Sequence, residues 1–276
     1  IIVCSPPDKK GKMHPAILFT AKLLGLKDVY KIGGVQAIGA MTYGTKTISS
    51  VYKIFGPGNQ FITCAKQLIQ KDGIAIDMPA GPSEVAIYAD ETAIPSFVAA
   101  DLLSQAEHGA DSQVVLLTNS LDLSRRIKKE INGQLEKLPR KETAKKALGK
   151  SKIVLVKSDD EAIEVLNEYA PEHLILSCNN AELLAEKIVN AGSVFIGNYS
   201  PESVGDYASG TNHTLPTNGY AKSYSGVSVD SFVKKITFQQ LSREGITEIG
   251  KIAEAMAEAE GLKAHAEAVR VRLDNI

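Results

Sequence analysis

The sequence lacks paired cysteines, a charge excess, a long apolar run and a standard dinucleotide fingerprint, and each absence closes off a class of protein. Its three cysteines, Cys4, Cys64 and Cys178, are odd in number and scattered, with no Cys-x-x-Cys pair. A disulfide-framed secreted module is therefore not expected, and a reducing, cytoplasmic setting is the default. The 31 basic residues offset 32 acidic ones, for a formal net charge of −1. That balance provides no attraction to nucleic acid or to an anionic membrane. One stretch is locally basic (Arg125, Arg126, Lys128, Lys129, then Lys141, Lys145, Lys146), but acidic and apolar residues interleave it, so it reads as a solvated helix face. No apolar run approaches the ~20 residues of a helical membrane span. The opening Ile1-Ile2-Val3-Cys4 is too short for a signal-peptide core and has no basic residue before it. It reads instead as a strand joined midway, so residues upstream of Ile1 are expected to be missing. There are no internal repeats and no low-complexity segment.

What is present is ordinary for a globular α/β protein. Of the 276 residues, 44% are hydrophobic and 23% charged, enough for one large or two smaller domains. Short apolar runs at residues 1–4, 29–32, 53–55, 73–76, 84–89, 113–117, 152–156, 174–177 and 193–196 are expected as strands. Helical patterns lie between most of them, at 14–24, 35–43, 59–71, 94–106, 121–138, 160–169 and 181–190. The first helix has Pro15 at its start and Gly25 just past its end, the usual asymmetry of helix termini. Strand–helix alternation predicts mainly parallel sheets covered on both faces. The turn Asp77-Met78-Pro79-Ala80-Gly81-Pro82-Ser83 can continue neither element and marks a domain boundary. Residues 200–226, rich in Gly, Ser, Thr, Asn, Tyr and Pro, read as a long loop, and such loops are often functional. Helix returns at 246–259, breaks at Gly261, and resumes at 262–273.

Several groups could carry chemistry. Gln105 and His108 are three apart near a helix end, on one face, where an amide oxygen and an imidazole could share a metal. The alternative is a structural helical histidine. Glu172 and His173 follow Pro171 at a strand start. They form a sensible acid/base pair if the backbone turns there, and an ordinary surface Glu-His if it does not. Asp206 and His213 in the long loop are ligand or substrate candidates, or simply solvated polar residues. Glu260 and His265 flank the Gly261 break. Two glycine turns, Gly33-Gly34-Val35-Gln36 and Gly56-Pro57-Gly58-Asn59, each join a strand to a helix start whose free N–H groups could meet phosphate. A tight structural turn explains either equally well.

Taken together, these segments resemble the histidinol dehydrogenase family. The resemblance runs over essentially the whole chain. It is carried by Lys53-Ile54-Phe55-Gly56-Pro57-Gly58-Asn59, by Ile76-Asp77-Met78-Pro79-Ala80-Gly81-Pro82-Ser83-Glu84 and by Asp101-Leu102-Leu103-Ser104-Gln105-Ala106-Glu107-His108. Ala170-Pro171-Glu172-His173, the run from Ser200 through Pro201, Glu202, Ser203, Val204, Gly205 and Asp206 to His213, and Gly261-Leu262-Lys263-Ala264-His265 complete the set.

The resemblance implies two Rossmann-like domains with a C-terminal helical tail: 1–82 as part of an NAD-binding domain, 83–227 as a catalytic zinc domain, and 228–276 as a tail exchanged in a homodimer. It implies one Zn²⁺ per site, held by Gln105, His108, Asp206 and His265, with Glu172 and His173 as the acid/base pair. Gln36 and Asn59 would touch NAD. Ser83, His213 and Glu260 would contact substrate, together with Gln105, His108, His173, Asp206 and His265. The implied activity is NAD-linked oxidation of L-histidinol to L-histidine through a bound aldehyde, in two hydride transfers that end histidine biosynthesis. An N-terminal part found in the family is not matched here, which keeps open an inactive zinc-binding remnant. A zinc hydrolase is a further alternative, distinguished by needing no NAD. A thiohemiacetal route through cysteine is disfavoured, because Cys178 has no basic neighbour to lower its pKa.

Overall fold

The computed structural model describes residues 1–276. Nine strands and eleven α-helices run β1 (Ile2–Cys4), α1 (Pro15–Leu23), β2 (Asp28–Tyr30), α2 (Gly34–Tyr43), β3 (Lys53–Ile54), α3 (Gln60–Ile69), β4 (Ala75–Ile76), β5 (Glu84–Ala89), α4 (Pro95–Ala106), β6 (Gln113–Thr118), α5 (Leu121–Leu135), α6 (Lys141–Leu148), β7 (Lys152–Leu155), α7 (Asp159–Tyr169), β8 (His173–Ser177), α8 (Ala181–Ala185), β9 (Ser193–Ile196), α9 (Glu202–Tyr207), α10 (Arg243–Ala259) and α11 (Lys263–Leu273). Every strand pair is parallel: β1 with β2, β3 with β4, and a five-stranded sheet of order β7-β6-β5-β8-β9. Two compact units result, Ile1–Ser231 and Phe232–Ile276. No helix is long and apolar enough to cross a membrane.

The five-stranded sheet organises the first unit. Its central strand β5, Glu-Val-Ala-Ile-Tyr-Ala, is buried at all six positions, as a parallel strand covered on both faces requires. Alternate residues feed two cores. Val85, Ile87 and Ala89 pack with Val114, Leu116 and the apolar faces of α4, α5 and α6. Ala86 and Tyr88 pack with Leu174, Leu176, α7 and α8. A smaller core of Ile38, Ile54, Ile69 and Ile76 holds β3 and β4 to α2 and α3. The second unit is a helical hairpin, in which Gly250 of α10 lets Val269 and Leu273 of α11 come close and Arg270 pairs with Glu254, Glu258 and Glu267.

Three local expectations are corrected. The helix expected over 121–138 stops at Leu135, and a separate α6 follows; Pro139 lies in the break, where its missing N–H and ring prevent continuation. The helix expected over 181–190 ends at Ala185. Inside the expected loop of 200–226, Glu202–Tyr207 forms α9. It packs so tightly on β9 that a Cβ at Gly205 would lie 2.9 Å from Phe195 Cζ, so only glycine fits.

Candidate active site

The site grows from the amino ends of β5 and β8, which lie side by side. Helix α7 ends at Ala170, whose φ of 53° turns the chain sharply before Pro171. This is the backbone turn that the Glu172-His173 pair needs. Glu172 precedes the strand and His173 opens it, and both are fastened to one residue of β5. The Glu84 N–H donates to Glu172 Oε2 at 2.8 Å, and the Glu84 carbonyl lies 3.1 Å from His173 Nδ1. The two side chains thereby share one pocket despite strand alternation, with Glu172 Oε2 3.6 Å from His173 Nδ1. Both are almost fully buried.

Burial sets the electrostatics. Desolvation pushes the Glu172 carboxyl up to about 7, against the opposing pull of His173. For His173 burial alone would lower the pKa, but the carboxylates of Asp206, Glu172 and Glu202 outweigh it and push the imidazole up to about 9. Asp206, on α9, lies 3.4 Å from His173 Nε2, within ion-pair range but without hydrogen-bond alignment. Its own pKa is lowered, first by His173. Glu202 opens α9; its Oε1 accepts from Ser104 at 2.7 Å and its Oε2 lies 3.9 Å from His173 Nδ1.

Gln105 and His108 approach the same place from the end of α4. Gln105 is fully buried, and its Nε2 lies 3.1 Å from His108 Nδ1. With the amide so oriented, Oε1 has no partner. Burial lowers the His108 pKa, and the nearby Asp206 charge opposes this. The negative end of the α4 dipole favours a cation at this point. Four buried polar atoms lack hydrogen bonds in the structure: Gln105 Oε1, His173 Nε2, Glu202 Oε2 and Glu84 Oε2. Buried orphans of this kind are rare and call for a partner.

The sequence-predicted residues divide between the two units. Gln105, His108, Glu172, His173 and Asp206 come together in the first. Ser83 and His108 line a cavity of about 540 Å³ with Asn59, whose side chain caps α3 by accepting from Phe61 and Ile62 N–H at 3.1 and 3.2 Å. His213 is exposed and near enough to Asp206 to lower its pKa. Gln36 is exposed in the first turn of α2 and lines neither that cavity nor the one beside Glu172. Glu260 and His265 are exposed in the second unit. No group of three or more His, Cys, Asp and Glu side chains forms a metal centre. Within the first unit the four-residue metal set supplies only an amide, an imidazole and a carboxylate. These three still suit a borderline divalent cation, and the orphaned Gln105 oxygen is the kind of donor it would satisfy.

Three participants stand in the resembling segments but are given no role by the sequence reading: Glu84, Glu202 and Asp101. The Asp101 carboxyl is pushed up to about 7 by burial and then by Glu202. The signal available for them was position: an acidic residue at the start of a strand or helix, beside an apolar run, is placed for burial.

Fold and site define the class, a parallel α/β protein with a buried carboxylate–imidazole pair at the amino ends of its central strands. The chain belongs to the histidinol dehydrogenase family, which it matches over residues 1–273. It is 60% identical to the histidinol dehydrogenase of Bacteroides thetaiotaomicron over 276 residues, covering 100% of this chain and 64% of that protein. It is 53% identical to that of Haemophilus influenzae over 273 residues, covering 99% and 63%. The crystal structure of histidinol dehydrogenase from Elizabethkingia anophelis superposes with a TM-score of 0.97 at 60% identity, over 100% of this chain and 64% of that one. The chain thus spans about 64% of the length of these relatives.

Proposed function

We propose that the protein carrying this chain oxidises L-histidinol to L-histidine in two NAD-linked steps with one Zn²⁺ per site. The observation that supports this best is the set of unpartnered buried atoms around an acid/base pair. Gln105, whose Oε1 is unpartnered, with His108 and the nearby Asp206 supplies a donor set that would suit a divalent cation, next to Glu172 and His173.

When bound by Gln105, His108, Asp206 and His265, zinc would serve as a template that orients the amino alcohol. The rest is the work of this chain's side chains. Asp206 exerts the largest upward pull on the His173 pKa. His173, fixed at the start of β8 by the Glu84 carbonyl and set beside Glu172, is the base that takes the hydroxyl proton. Glu172, held near neutrality by burial, then takes a proton from the water that adds to the aldehyde. Ser83 and His213 hold the substrate, and Asn59 and Gln36 contact the cofactor. Glu260 and His265 serve through a homodimer in which each tail completes a site of the other copy.

The test combines zinc titration with NADH production from histidinol and, separately, from the aldehyde. Glu172→Gln should slow aldehyde oxidation ~100-fold or more while sparing the first hydride transfer. Hydrolysis without NAD, or a Glu172→Gln variant equally slow in both steps, would refute the assignment. Shared sites predict that a His265→Asn subunit mixed with a His173→Ala subunit regains activity. Failure to do so in demonstrated mixed dimers would place the tail in its own chain's site.

A further inference from the structure

The turn that leads to Asn59 is held from inside the protein by two charged side chains. Strand β3 pairs with β4, and past the paired residues Asp77 N–H donates to the Ile54 carbonyl at 3.1 Å. Two residues on, side chains take over. Gly56 N–H donates to Asp77 Oδ2 at 2.8 Å, and the Gly56 carbonyl accepts from Lys66 Nζ of α3 at 2.9 Å. Lys66 and Asp77 pair with each other, and Asp77 Oδ1 also accepts from Met78 N–H at 2.7 Å. The Asp77 side chain is fully buried, and that of Lys66 is 4% exposed. A buried ion pair adds little net stability over an apolar pair of similar volume, so stability alone does not account for this one. What it supplies is a fixed donor and a fixed acceptor on a single glycine.

The pair joins two turns. Gly56-Pro57-Gly58 leads into Asn59 and α3, and Asp77 opens the turn over 77–83 that leads into β5. Gly58 and Asn59 of the first, and Ala80, Gly81, Pro82 and Ser83 of the second, line the cavity of about 540 Å³. Neither Lys66 nor Asp77 lines it, so the pair acts on that cavity only through the turns. A glycine turn before a helix start admits the close approach a dinucleotide needs. It also has few side-chain contacts of its own: Gly56 has a φ of 138°, and a Cβ at Gly58 would lie 2.6 Å from Ile62 Cβ. Its hold must come from elsewhere. Ser83 is tied independently of the pair, its carbonyl accepting from Gln113 N–H at 3.1 Å.

We propose that Lys66 and Asp77 are positioning residues for the cofactor half of the site: they lock the Gly56-Pro57-Gly58 turn against the turn before β5, so that Asn59 is preset for a nicotinamide dinucleotide. The inference rests on the histidinol reading above, in which Asn59 contacts NAD and Ser83 the substrate. The lock touches no reacting atom and moves no proton. It lowers the ordering cost of cofactor binding, because the turn is already fixed when NAD arrives. The metal donors Gln105, His108 and Asp206 stand on or beside α4 and α9, away from the lock, so its loss falls on NAD rather than on metal or substrate.

The test separates positioning from stability. Lys66→Met with Asp77→Leu removes both holds on Gly56 without stranding a charge. Asp77→Asn keeps an acceptor for Gly56 N–H but strands the Lys66 charge. In the zinc-loaded, full-length protein the double variant should bind NAD ~tenfold or more weakly by calorimetry, with a matching rise in the NAD KM and histidinol affinity within about twofold of the parent. Asp77→Asn should melt below the double variant and yet bind NAD more tightly than it does. A purely structural role would instead make NAD affinity follow melting temperature. Gly56→Ala has room for its methyl but not for a φ of 138°, so it displaces the same turn with the pair intact and should weaken NAD alike. It carries the test if the double variant does not fold. Unchanged NAD affinity in the double variant or in Gly56→Ala, histidinol affinity lost in step with NAD, or NAD affinity ranked by melting temperature would overturn the proposal. An unsubstituted protein that binds no NAD would instead refute the histidinol reading.

Discussion

Replacing Gly192 with alanine tests the geometry under Glu172 most directly. Gly192 joins α8 to β9 and passes beneath the active-site turn. Its N–H donates to the Pro171 carbonyl, and the next N–H, of Ser193, donates to the Glu172 carbonyl, each at 2.9 Å. A Cβ at this position would collide with that Glu172 carbonyl oxygen, and would also lie 3.1 Å from Leu215 Cβ and 3.2 Å from the Glu172 carbonyl carbon. The obstruction is backbone that cannot swing aside without giving up the hydrogen bond from Ser193. Overpacking costs about 1–3 kcal/mol, and this rigid case belongs in the upper half of that range. In a chain of this size each kcal/mol moves the midpoint by about 2 °C, so Gly192→Ala should melt about 4–6 °C lower by circular dichroism. Gly133→Ala is the matched control. Gly133 is exposed within α5 with nothing within 4 Å of its added methyl, and alanine there should stabilise by ~0.5–1 kcal/mol. If Gly192→Ala melted at or above the parent, the close approach of β9 to the Glu172 backbone would be wrong.

Three further outcomes follow from buried charge. Asp101 has a folded pKa of about 7 against an ordinary value of 3.8, so its protonated form is the one folding favours. Its contribution to stability is complete below about 3.8 and is lost as pH rises through 7. Asp101→Asn should therefore stabilise at pH ~8 and lose that advantage by pH ~4 in urea titrations; a gain independent of pH would contradict the assignment. Lys66→Met should cost about 3–5 kcal/mol by stranding the fully buried Asp77, and Lys66→Met with Asp77→Leu should recover much of it, as read from denaturation midpoints. Cys178, buried and pushed up to about 12 by desolvation and then by Asp90 and Asp159, is no nucleophile, so Cys178→Ser should keep aldehyde oxidation; selective loss of that step would reinstate a thiol route.

Much of the framework could be read from the residues because burial on both faces leaves a plain signature. The run Glu84–Ala89 is expected and found as a strand at the same bounds, and so is Ser193–Ile196, since β-branched and apolar runs between glycine- or proline-bearing turns have few other uses. Alpha-helix α9 escaped notice because its stability comes from packing on Phe195, which local propensity does not encode. The same limit applies to the site. Glu172 and His173 stand out as adjacent titratable groups after a proline. Their common attachment to the Glu84 backbone depends on the register between β5 and β8, which pairs residues nearly ninety positions apart. Glu84 and Glu202 look like ordinary surface acids in one dimension, and only the sheet and α9 bury them.

The position of the site is itself a consequence of where polar groups find partners. In the order β7-β6-β5-β8-β9 the chain works outward from β5 first one way and then the other, so the strand order reverses between β5 and β8. Open parallel sheets usually take ligands at the carboxyl ends of the strands beside such a reversal. Here those ends are closed. Asp90 accepts from Thr92 and from Asn179 N–H, Ser177 bonds Asn198, and Tyr88 bonds Asp159, which also accepts from Asn180. Each group there is satisfied within the protein, which leaves a ligand little to gain. At the amino ends of the same two strands, four buried atoms have no partner, and desolvation raises the pKa of three carboxylates, those of Glu84, Glu172 and Glu202. An unsatisfied buried polar atom costs roughly 1–3 kcal/mol. A fold that leaves four together at one end of its central sheet, while satisfying the groups at the other, holds its binding potential where the atoms are unpaired.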